Sequence, residues 1–207
     1  MTNRSITDCR LYGFIDTGYL ASRDPAELAQ ALIAGGVDII QVRAKEMSHS
    51  QRVELTSAVV KVAGKVPVIV NDDIVAARET GAAGVHLGQE DFAGLTRDHL
   101  KDLRIVGIST HSLAQAQQAE RDGADYIGVG PVFATGTKPG VKPVGVELVK
   151  QVTGTIAIPF FAIGGITLQN LDAVLAAGSK RIAVVSAILN AKDVTGAAKS
   201  FKGKLPV

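Results

Sequence analysis

The chain repeats one pattern, in which a short apolar run typical of a buried strand ends in a small polar cluster. The clusters begin at Gln41, Asn71, Gly88, Ser109, Thr135 and Gly164. Parallel α/β folds place their ligands at the carboxyl ends of their strands, so clusters in these positions converge on one mouth. The pattern therefore predicts a parallel α/β fold with its site at that mouth.

Strand and helix patterns alternate along the whole chain. Strands are expected at 11–16, 37–43, 66–70, 83–87, 105–108, 125–129, 158–163 and 181–185. Helices are expected from Asp24-Pro25 to Gly35, and then at 48–63, 76–80, 96–103, 112–122, 146–153 and 168–177. Eight strands alternating with about eight helices predict a single-domain (β/α)8 TIM barrel over 1–207, at the short end for that fold. A doubly wound open sheet is the alternative.

Composition limits the partners of the chain. Its 22 basic and 20 acidic residues give a net charge of +2, too little to favour nucleic acid, so any anion must be bound locally. The single cysteine, Cys9, excludes an intrachain disulfide and a cysteine-based zinc site. The polar segment 1–10 has no signal-peptide core, and no apolar run approaches the roughly 18 residues of a membrane span. These features predict a cytoplasmic protein without a membrane partner.

Three long polar side chains follow the second predicted strand at period two. Gln41, Arg43 and Lys45 are expected to point to one face of the strand or its extension. Burying all three in a barrel without partners is too costly, so the strand end opens into a wet site or meets an anion. The alternative is that the three side chains face outward between helices. An arginine fork beside a lysine suits phosphate or pyrophosphate.

Carboxylates follow the third and fourth predicted strands. Asn71, Asp72 and Asp73 end one strand, and Asp91 lies just beyond the next. One carboxylate from each strand end suits Mg²⁺ when water and phosphate oxygens supply the other ligands. The alternative is that Asp72 or Asp73 only caps the following helix.

A second anion site is predicted after strands six to eight. Thr135, Thr137 and Lys138 provide hydroxyls and a cation in a flexible loop. Gly164-Gly165 and Ser186 follow strands seven and eight, where barrels commonly hold a phosphate on backbone N–H groups. The sequence thus predicts two separate anion sites.

Two histidines lie near the predicted mouth. His86 is inside an apolar run and is interpreted as a hydrogen-bonded core histidine rather than a catalytic one. His111 follows a strand end and is either an acid or base, or part of the next helix start. Because no nucleophile elbow is present and Cys9 has no evident partner, covalent catalysis is disfavoured.

Taken in order, seven motifs resemble those of the thiamine-phosphate synthase family. They are Gln41-Val42-Arg43-Ala44-Lys45, Asn71-Asp72, Gly84 to Asp91, Gly107 to His111, Gly123-Ala124-Asp125-Tyr126 through Lys138, Ala162 to Ile166, and Val185 to Ile188. The resemblance implies a barrel that joins 4-amino-2-methyl-5-hydroxymethylpyrimidine pyrophosphate to a thiazole phosphate, giving thiamine phosphate and pyrophosphate. It also implies a dissociative reaction in which pyrophosphate leaves first.

The resemblance assigns roles to individual residues. It implies that the pyrimidine pyrophosphate is held by Gln41, Arg43, Lys45, Asn71, Ser109 and Lys138, of which Arg43, Lys45, Ser109 and Lys138 would act in catalysis. Asp72 and Asp91 would bind Mg²⁺. The thiazole phosphate would be held by Thr135, Thr137, Gly165, Val185 and Ser186. The expected partners are therefore two phosphorylated small molecules.

Two other functions are compatible with this kind of barrel. The first is a thiazole tautomerase, which needs only the thiazole site and a proton-shuttling histidine such as His111. The second is a barrel that senses a phosphorylated metabolite without turnover. Retention of Asp72 and Asp91 argues against both, because neither function needs a pyrophosphate-binding metal.

Overall fold

The described chain forms a closed barrel. The computed structural model describes residues 4–137 and 140–206. Within these ranges eight parallel strands pair in sequence order, and the last pairs with the first. They are β1 (Leu11–Asp16), β2 (Ile39–Arg43), β3 (Val68–Asn71), β4 (Gly84–Leu87), β5 (Ile105–Thr110), β6 (Tyr126–Val129), β7 (Phe160–Ile163) and β8 (Ile182–Ala183). Closure confirms the predicted barrel and excludes the open sheet.

Helices connect the strands and cover the barrel. They are α1 (Pro25–Ala34), α2 (His49–Ala63), α3 (Ile74–Thr80), α4 (Gln89–Phe92), α5 (Leu113–Arg121), α6 (Gly145–Thr153), α7 (Leu171–Ala176), α8 (Ser186–Leu189) and α9 (Val194–Lys204). The predicted starts of α1 and α2 are confirmed, because the side chains of Asp24 and Ser48 accept N–H bonds there as N-caps. No helix in residues 4–137 and 140–206 is long and apolar enough to cross a bilayer.

The connection between β4 and β5 differs from the prediction. The helix expected at 96–103 is only a short 3-10 turn, Arg97–Leu100, and the unpredicted helix α4 precedes it. The Arg97 guanidinium donates to the carbonyls of Leu100 and Leu103, which occupies acceptors that a longer helix would use. This short turn is enough to place Leu100 and Leu103 in the core.

Helix α9 was not predicted. Its apolar residues Val194, Ala198 and Phe201 follow helical spacing and are buried. Its sequence also contains two glycines, which weaken the local helix signal. The helix packs against the end of α1, where a Cβ on Gly35 would lie 2.5 Å from the Cβ of Ala198. Close tertiary packing therefore stabilises a helix whose own propensity is low.

An aromatic layer fills the barrel beneath its mouth. Tyr12, Tyr126 and Phe161 are each at most 2% exposed, and the two tyrosine rings lie 5.2 and 5.6 Å from the ring of Phe161. Gly107 makes room for this layer, because a Cβ there would lie 2.1 Å from the Cζ of Tyr126. A small residue on β5 thus allows a large ring from β6 to enter the interior.

Candidate active site

One cavity opens among the carboxyl ends of the strands. Nine residues predicted for the site line it: Gln41, Arg43, Asn71, Ser109, Thr135, Thr137, Gly165, Val185 and Ser186. They come from both predicted anion sites. Tyr12, His86, His111 and Tyr126 line the same cavity. The two sets of polar clusters therefore share one space.

Strand β2 carries the predicted cation into this cavity. Gln41 is 4% exposed, and the Arg43 Nη1 lies 2.7 Å from the Asp16 Oδ2 at the end of β1. The register of the two strands pairs Asp16 with Arg43 directly. The buried carboxylate of Asp16 also accepts the N–H of Gly18 at 3.0 Å. Asp16 is thus a fixed counter-ion that orients the Arg43 fork.

Lys45 lies in a recess beside the cavity rather than in it. The recess is lined by Ala44, Lys45, Glu46, Arg52, Asn71, Asp72, Asp73, Ile74 and Val75. The period-two expectation is met by Gln41 and Arg43 but not by Lys45, because β2 ends at Arg43 and the chain turns. Asn71 lines both spaces and therefore connects them.

The two aspartates after β3 have different environments. Asp73 is the N-cap of α3, accepts the Ala76 N–H at 2.8 Å and pairs with Arg52. Burial opposes its ionisation, but these hydrogen bonds prevail and lower the pKa of Asp73. Asp72 has a left-handed φ of 63°, accepts from the Asn71 amide, and lies 3.9 Å from the Lys45 Nζ. Capping is thus the role of Asp73, while Asp72 presents a carboxylate to the recess.

Asp91 has a local structural role. It lies in the first turn of α4, and its Oδ2 accepts the Gly88 N–H at 3.2 Å. It lines neither the cavity nor the recess. Because β3 and β4 are neighbours in register, the segments that carry Asp72 and Asp91 leave the barrel side by side. The predicted pair is therefore adjacent in the topology.

The second predicted anion site is built from backbone as much as from side chains. The Thr137 hydroxyl lies 2.9 Å from the Tyr19 Oη, and the Thr137 N–H donates to the Thr135 Oγ1 at 3.2 Å. Gly165 has φ 63°, and a Cβ there would lie 2.4 Å from the Ala134 carbonyl oxygen. Only glycine fits this close approach. Lys138, the remaining member of the predicted set, lies outside the described residues.

Both histidines lie near the mouth, where the sequence placed them, and both line the cavity. His86 is 9% exposed, with Nδ1 2.9 Å from the Tyr126 Oη and Nε2 2.9 Å from the Ser109 Oγ. The interpretation as a hydrogen-bonded core histidine is confirmed, and the residue also lines the cavity. His111 directs Nδ1 to the carbonyl of Gly130, so it is held at the cavity wall.

Comparison with known proteins decides the family. Residues 11–188 match the family model described as thiamine monophosphate synthase. The chain belongs to this family. A relative in Chloroflexus aurantiacus named thiamine-phosphate synthase is 40% identical, with 100% of this chain and 97% of that protein covered. One with the same name in Halalkalibacterium halodurans is 42% identical, with 94% of each chain covered.

Solved structures agree with this assignment. A thiamine phosphate pyrophosphorylase from Pyrococcus furiosus superposes with a TM-score of 0.82 at 29% identity, with 94% of each chain covered. A 3-hexulose-6-phosphate synthase superposes with a TM-score of 0.71 at 21% identity, with 95% of this chain and 100% of that chain covered. The second likeness shows the barrel fold alone. Thiamine monophosphate synthase membership and the barrel are thus supported by independent comparisons.

The residues of this thiamine monophosphate synthase family member suit a hard divalent cation. Within residues 4–137 and 140–206, no group of three or more His, Cys, Asp or Glu side chains is arranged to hold a metal ion. Asp72 and Asp91 offer two carboxylates, and Mg²⁺ is commonly held by one or two carboxylates with water and substrate phosphates. These two aspartates are the residues that would hold Mg²⁺, with water and a substrate phosphate as its other ligands.

Several residues of the family member's site were not recognised from sequence. Asp16, Tyr12, Tyr19 and Tyr126 each contact a predicted site residue or its partner. Asp16 ends a strand in the same way as the recognised clusters, so its position was an available signal. Tyr12 and Tyr126 had no such signal, since a tyrosine in an apolar run is interpreted as core.

Proposed function

We propose that the protein condenses 4-amino-2-methyl-5-hydroxymethylpyrimidine pyrophosphate with a thiazole phosphate, or its carboxylated form, to thiamine phosphate and pyrophosphate. The observation that carries this proposal is that residues from two predicted anion sites line one cavity. Two phosphorylated substrates can then meet without either phosphate displacing the other. The single cysteine, buried as a free thiol, suits work in the reducing cytoplasm.

The first step breaks the bond between the pyrimidine methylene carbon and a pyrophosphate oxygen. The oxygen keeps the electron pair, which leaves a pyrimidine methyl cation. Arg43, fixed by Asp16, and Lys45 stabilise the charge that develops on the leaving group. Asp72 and Asp91 would hold Mg²⁺, and the bound ion would neutralise part of the charge on the leaving group.

The second step forms the new bond without a covalent enzyme intermediate. The thiazole nitrogen donates its lone pair to the methylene carbon, and the positive charge passes to the thiazolium ring. Thr135, Thr137 and the backbone at Gly165 hold the thiazole phosphate so that this nitrogen faces the cation. No nucleophilic side chain is needed, which agrees with the position of Cys9 before β1, outside the cavity lining.

The pyrimidine ring is recognised by uncharged groups. Gln41 and Ser109 line the cavity, and Asn71 lines both the cavity and the recess that holds Lys45. This order supports a pose with the ring inside the cavity and its pyrophosphate toward the recess. The cation forms in a space walled by aromatic and apolar side chains, where water competes less with the thiazole.

The test is incubation of the purified protein with both substrates and Mg²⁺. We expect thiamine phosphate and pyrophosphate in equal amounts, and their loss when the metal is chelated. Omission of the thiazole phosphate is the matched control and should give no thiamine phosphate. Absence of product with both substrates would overturn the proposal, while isomerisation of the thiazole alone would indicate a tautomerase.

A further inference from the structure

A continuous chain of hydrogen bonds crosses the barrel interior. The Gln41 Nε2 lies 3.0 Å from the Tyr12 Oη, which lies 2.9 Å from the Tyr126 Oη. The His86 imidazole continues the chain, with 2.9 Å from Nδ1 to the Tyr126 Oη and 2.9 Å from Nε2 to the Ser109 Oγ. These five residues belong to β2, β1, β6, β4 and β5. We call this chain the interior relay.

The donors and acceptors of the relay determine the direction of each bond. The Gln41 amide donates to Tyr12, and the direction that gives every buried hydrogen an acceptor passes the single Tyr12 hydrogen to Tyr126. Tyr126 then donates to the His86 Nδ1, which leaves the hydrogen of the imidazole on Nε2 to be donated to Ser109. Ser109 can therefore direct its own hydrogen into the cavity, and Gln41 keeps its carbonyl oxygen for a ligand.

Burial holds the relay in one protonation pattern. Burial raises the pKa of both Tyr12 and Tyr126, so both remain hydrogen-bond donors. If both nitrogens of His86 carried hydrogen, Tyr126 would have to donate to Tyr12 instead. The Tyr12 oxygen would then accept twice, and its hydrogen would have no acceptor among the described residues at 2% exposure. Such an arrangement is unfavourable in a buried site.

We propose that Tyr12, Tyr126 and His86 are positioning residues that give Gln41 and Ser109 opposite hydrogen-bonding roles toward the ligand. Gln41 accepts through Oε1, and Ser109 donates through its hydroxyl. Resting on the proposed function, this pattern complements an aminopyrimidine edge, where an amino donor lies beside a ring-nitrogen acceptor. A pyrimidine with an oxo group in place of the amino group presents the reverse pattern and is rejected.

The direct test is nitrogen NMR of the uniformly labelled full chain without substrates. We expect the His86 hydrogen on Nε2, with the signal assigned by its loss in His86→Gln. Tyr126→Phe removes the donor to Nδ1 but keeps the ring, so the signal should shift toward a mixture of the two tautomers. A hydrogen on Nδ1 in the unsubstituted protein, as the reversed relay requires, would overturn the proposal, and so would an unchanged signal in Tyr126→Phe.

Kinetics supply the functional readout. Loss of one neutral hydrogen bond in the relay should raise the KM for the pyrimidine substrate about threefold to tenfold in Tyr126→Phe, with the thiazole KM unchanged. Tyr19→Phe is the matched control, because Tyr19 bonds Thr137 on the other side of the cavity and should leave the His86 signal unaltered. An equal rise in both KM values would contradict the proposal.

The two proposals fail separately. The NMR signal of His86 reports the relay without turnover. A protein that shows the Nε2 hydrogen but makes no thiamine phosphate would contradict the proposed function alone. A protein that makes thiamine phosphate with the hydrogen on Nδ1 would contradict only the relay.

Discussion

The two ends of the barrel use aspartate in opposite ways. At the amino ends of the strands, Asp38 is 4% exposed, accepts the N–H groups of Arg10 and Leu11 at 2.8 and 2.9 Å, and pairs with Arg4 and Lys202. At the carboxyl ends, the Asp72 side chain is 36% exposed, has a left-handed backbone, and lies 3.9 Å from Lys45.

The difference teaches where stability and function reside. The chain itself supplies several donors to Asp38, so this carboxylate joins the N-terminal segment, β1, β2 and α9. The Asp72 backbone adopts a conformation that non-glycine residues rarely take, and its carboxylate faces an open recess. Backbone strain of this kind is retained where a site needs it. Substitutions at the two ends should therefore affect different measurements.

The largest expected effect is on turnover. Asp72→Asn removes a charge that the proposed function uses toward Mg²⁺, and kcat should fall about 10²- to 10³-fold. The thermal midpoint should change little, because the side chain is exposed to the recess. Steady-state assays and thermal unfolding measure the two quantities. Asp98→Asn, at an exposed position before β5, is the control and should retain full turnover.

The next effect is at the amino ends of the strands, where stability should change and turnover should not. Asp38→Ala leaves the N–H groups of Arg10 and Leu11 without their acceptor, and the free energy of unfolding should fall by about 3 kcal/mol. The folded fraction should keep its kcat. Asp172→Ala, which removes only the exposed pair with Lys204, should cost less than about 1 kcal/mol in denaturant unfolding. Equal losses in both variants would refute the distinction between the ends.

A glycine substitution separates the two substrates. Gly165→Ala would place a Cβ 2.4 Å from the Ala134 carbonyl oxygen, at a left-handed φ of 63°. We expect the KM for the thiazole phosphate to rise about tenfold, which corresponds to about 1–2 kcal/mol of lost binding free energy. The pyrimidine KM should be unchanged. Gly81→Ala has a similar φ of 64° but open space around the Cβ, so it should affect stability alone. Equal thiazole KM values in the two variants would oppose the predicted site.

The smallest effect concerns stability at alkaline pH, at the amino ends of the strands. Burial raises the pKa of the Cys9 thiol from 9.0 to about 12, with the charge of Asp38 adding to the shift. The unfolded thiol ionises first, so the stability present below pH 9 is lost as pH rises toward 12. Between pH 8 and 10 the ionisation of this thiol should lower the free energy of unfolding by about 1.4 kcal/mol. Cys9→Ala should lose less unfolding free energy over that interval, and an identical decline would contradict the prediction.

Local sequence patterns were enough to predict much of the fold. The helix starts at Asp24 and Ser48 depend on side-chain bonds to nearby N–H groups, and the strand positions depend on short apolar runs. The patterns failed at 96–103 and α9. At 96–103 the Arg97 side chain occupies backbone carbonyls that a longer helix would use. At α9, packing against α1, which is distant in sequence, stabilises a helix that contains glycines.

The same limit separates the predicted from the unpredicted parts of the site. Each polar cluster follows its own strand, so the residues that carry charge and hydroxyls were visible in order along the chain. The contact of Asp16 with Arg43 spans 27 positions, and that of Tyr12 with Tyr126 spans 114. Only barrel closure and strand register bring these groups within hydrogen-bonding distance.

Sequence therefore determined the barrel, its polar strand ends and the chemistry available there, because each depends on neighbours a few positions apart. Tertiary structure decided that residues of the two predicted anion sites share one cavity, that Lys45 lies in a recess beside it, and that five strands connect Gln41 to Ser109. The physical reason is that hydrogen-bond direction and charge pairing depend on atomic separations that no local pattern specifies.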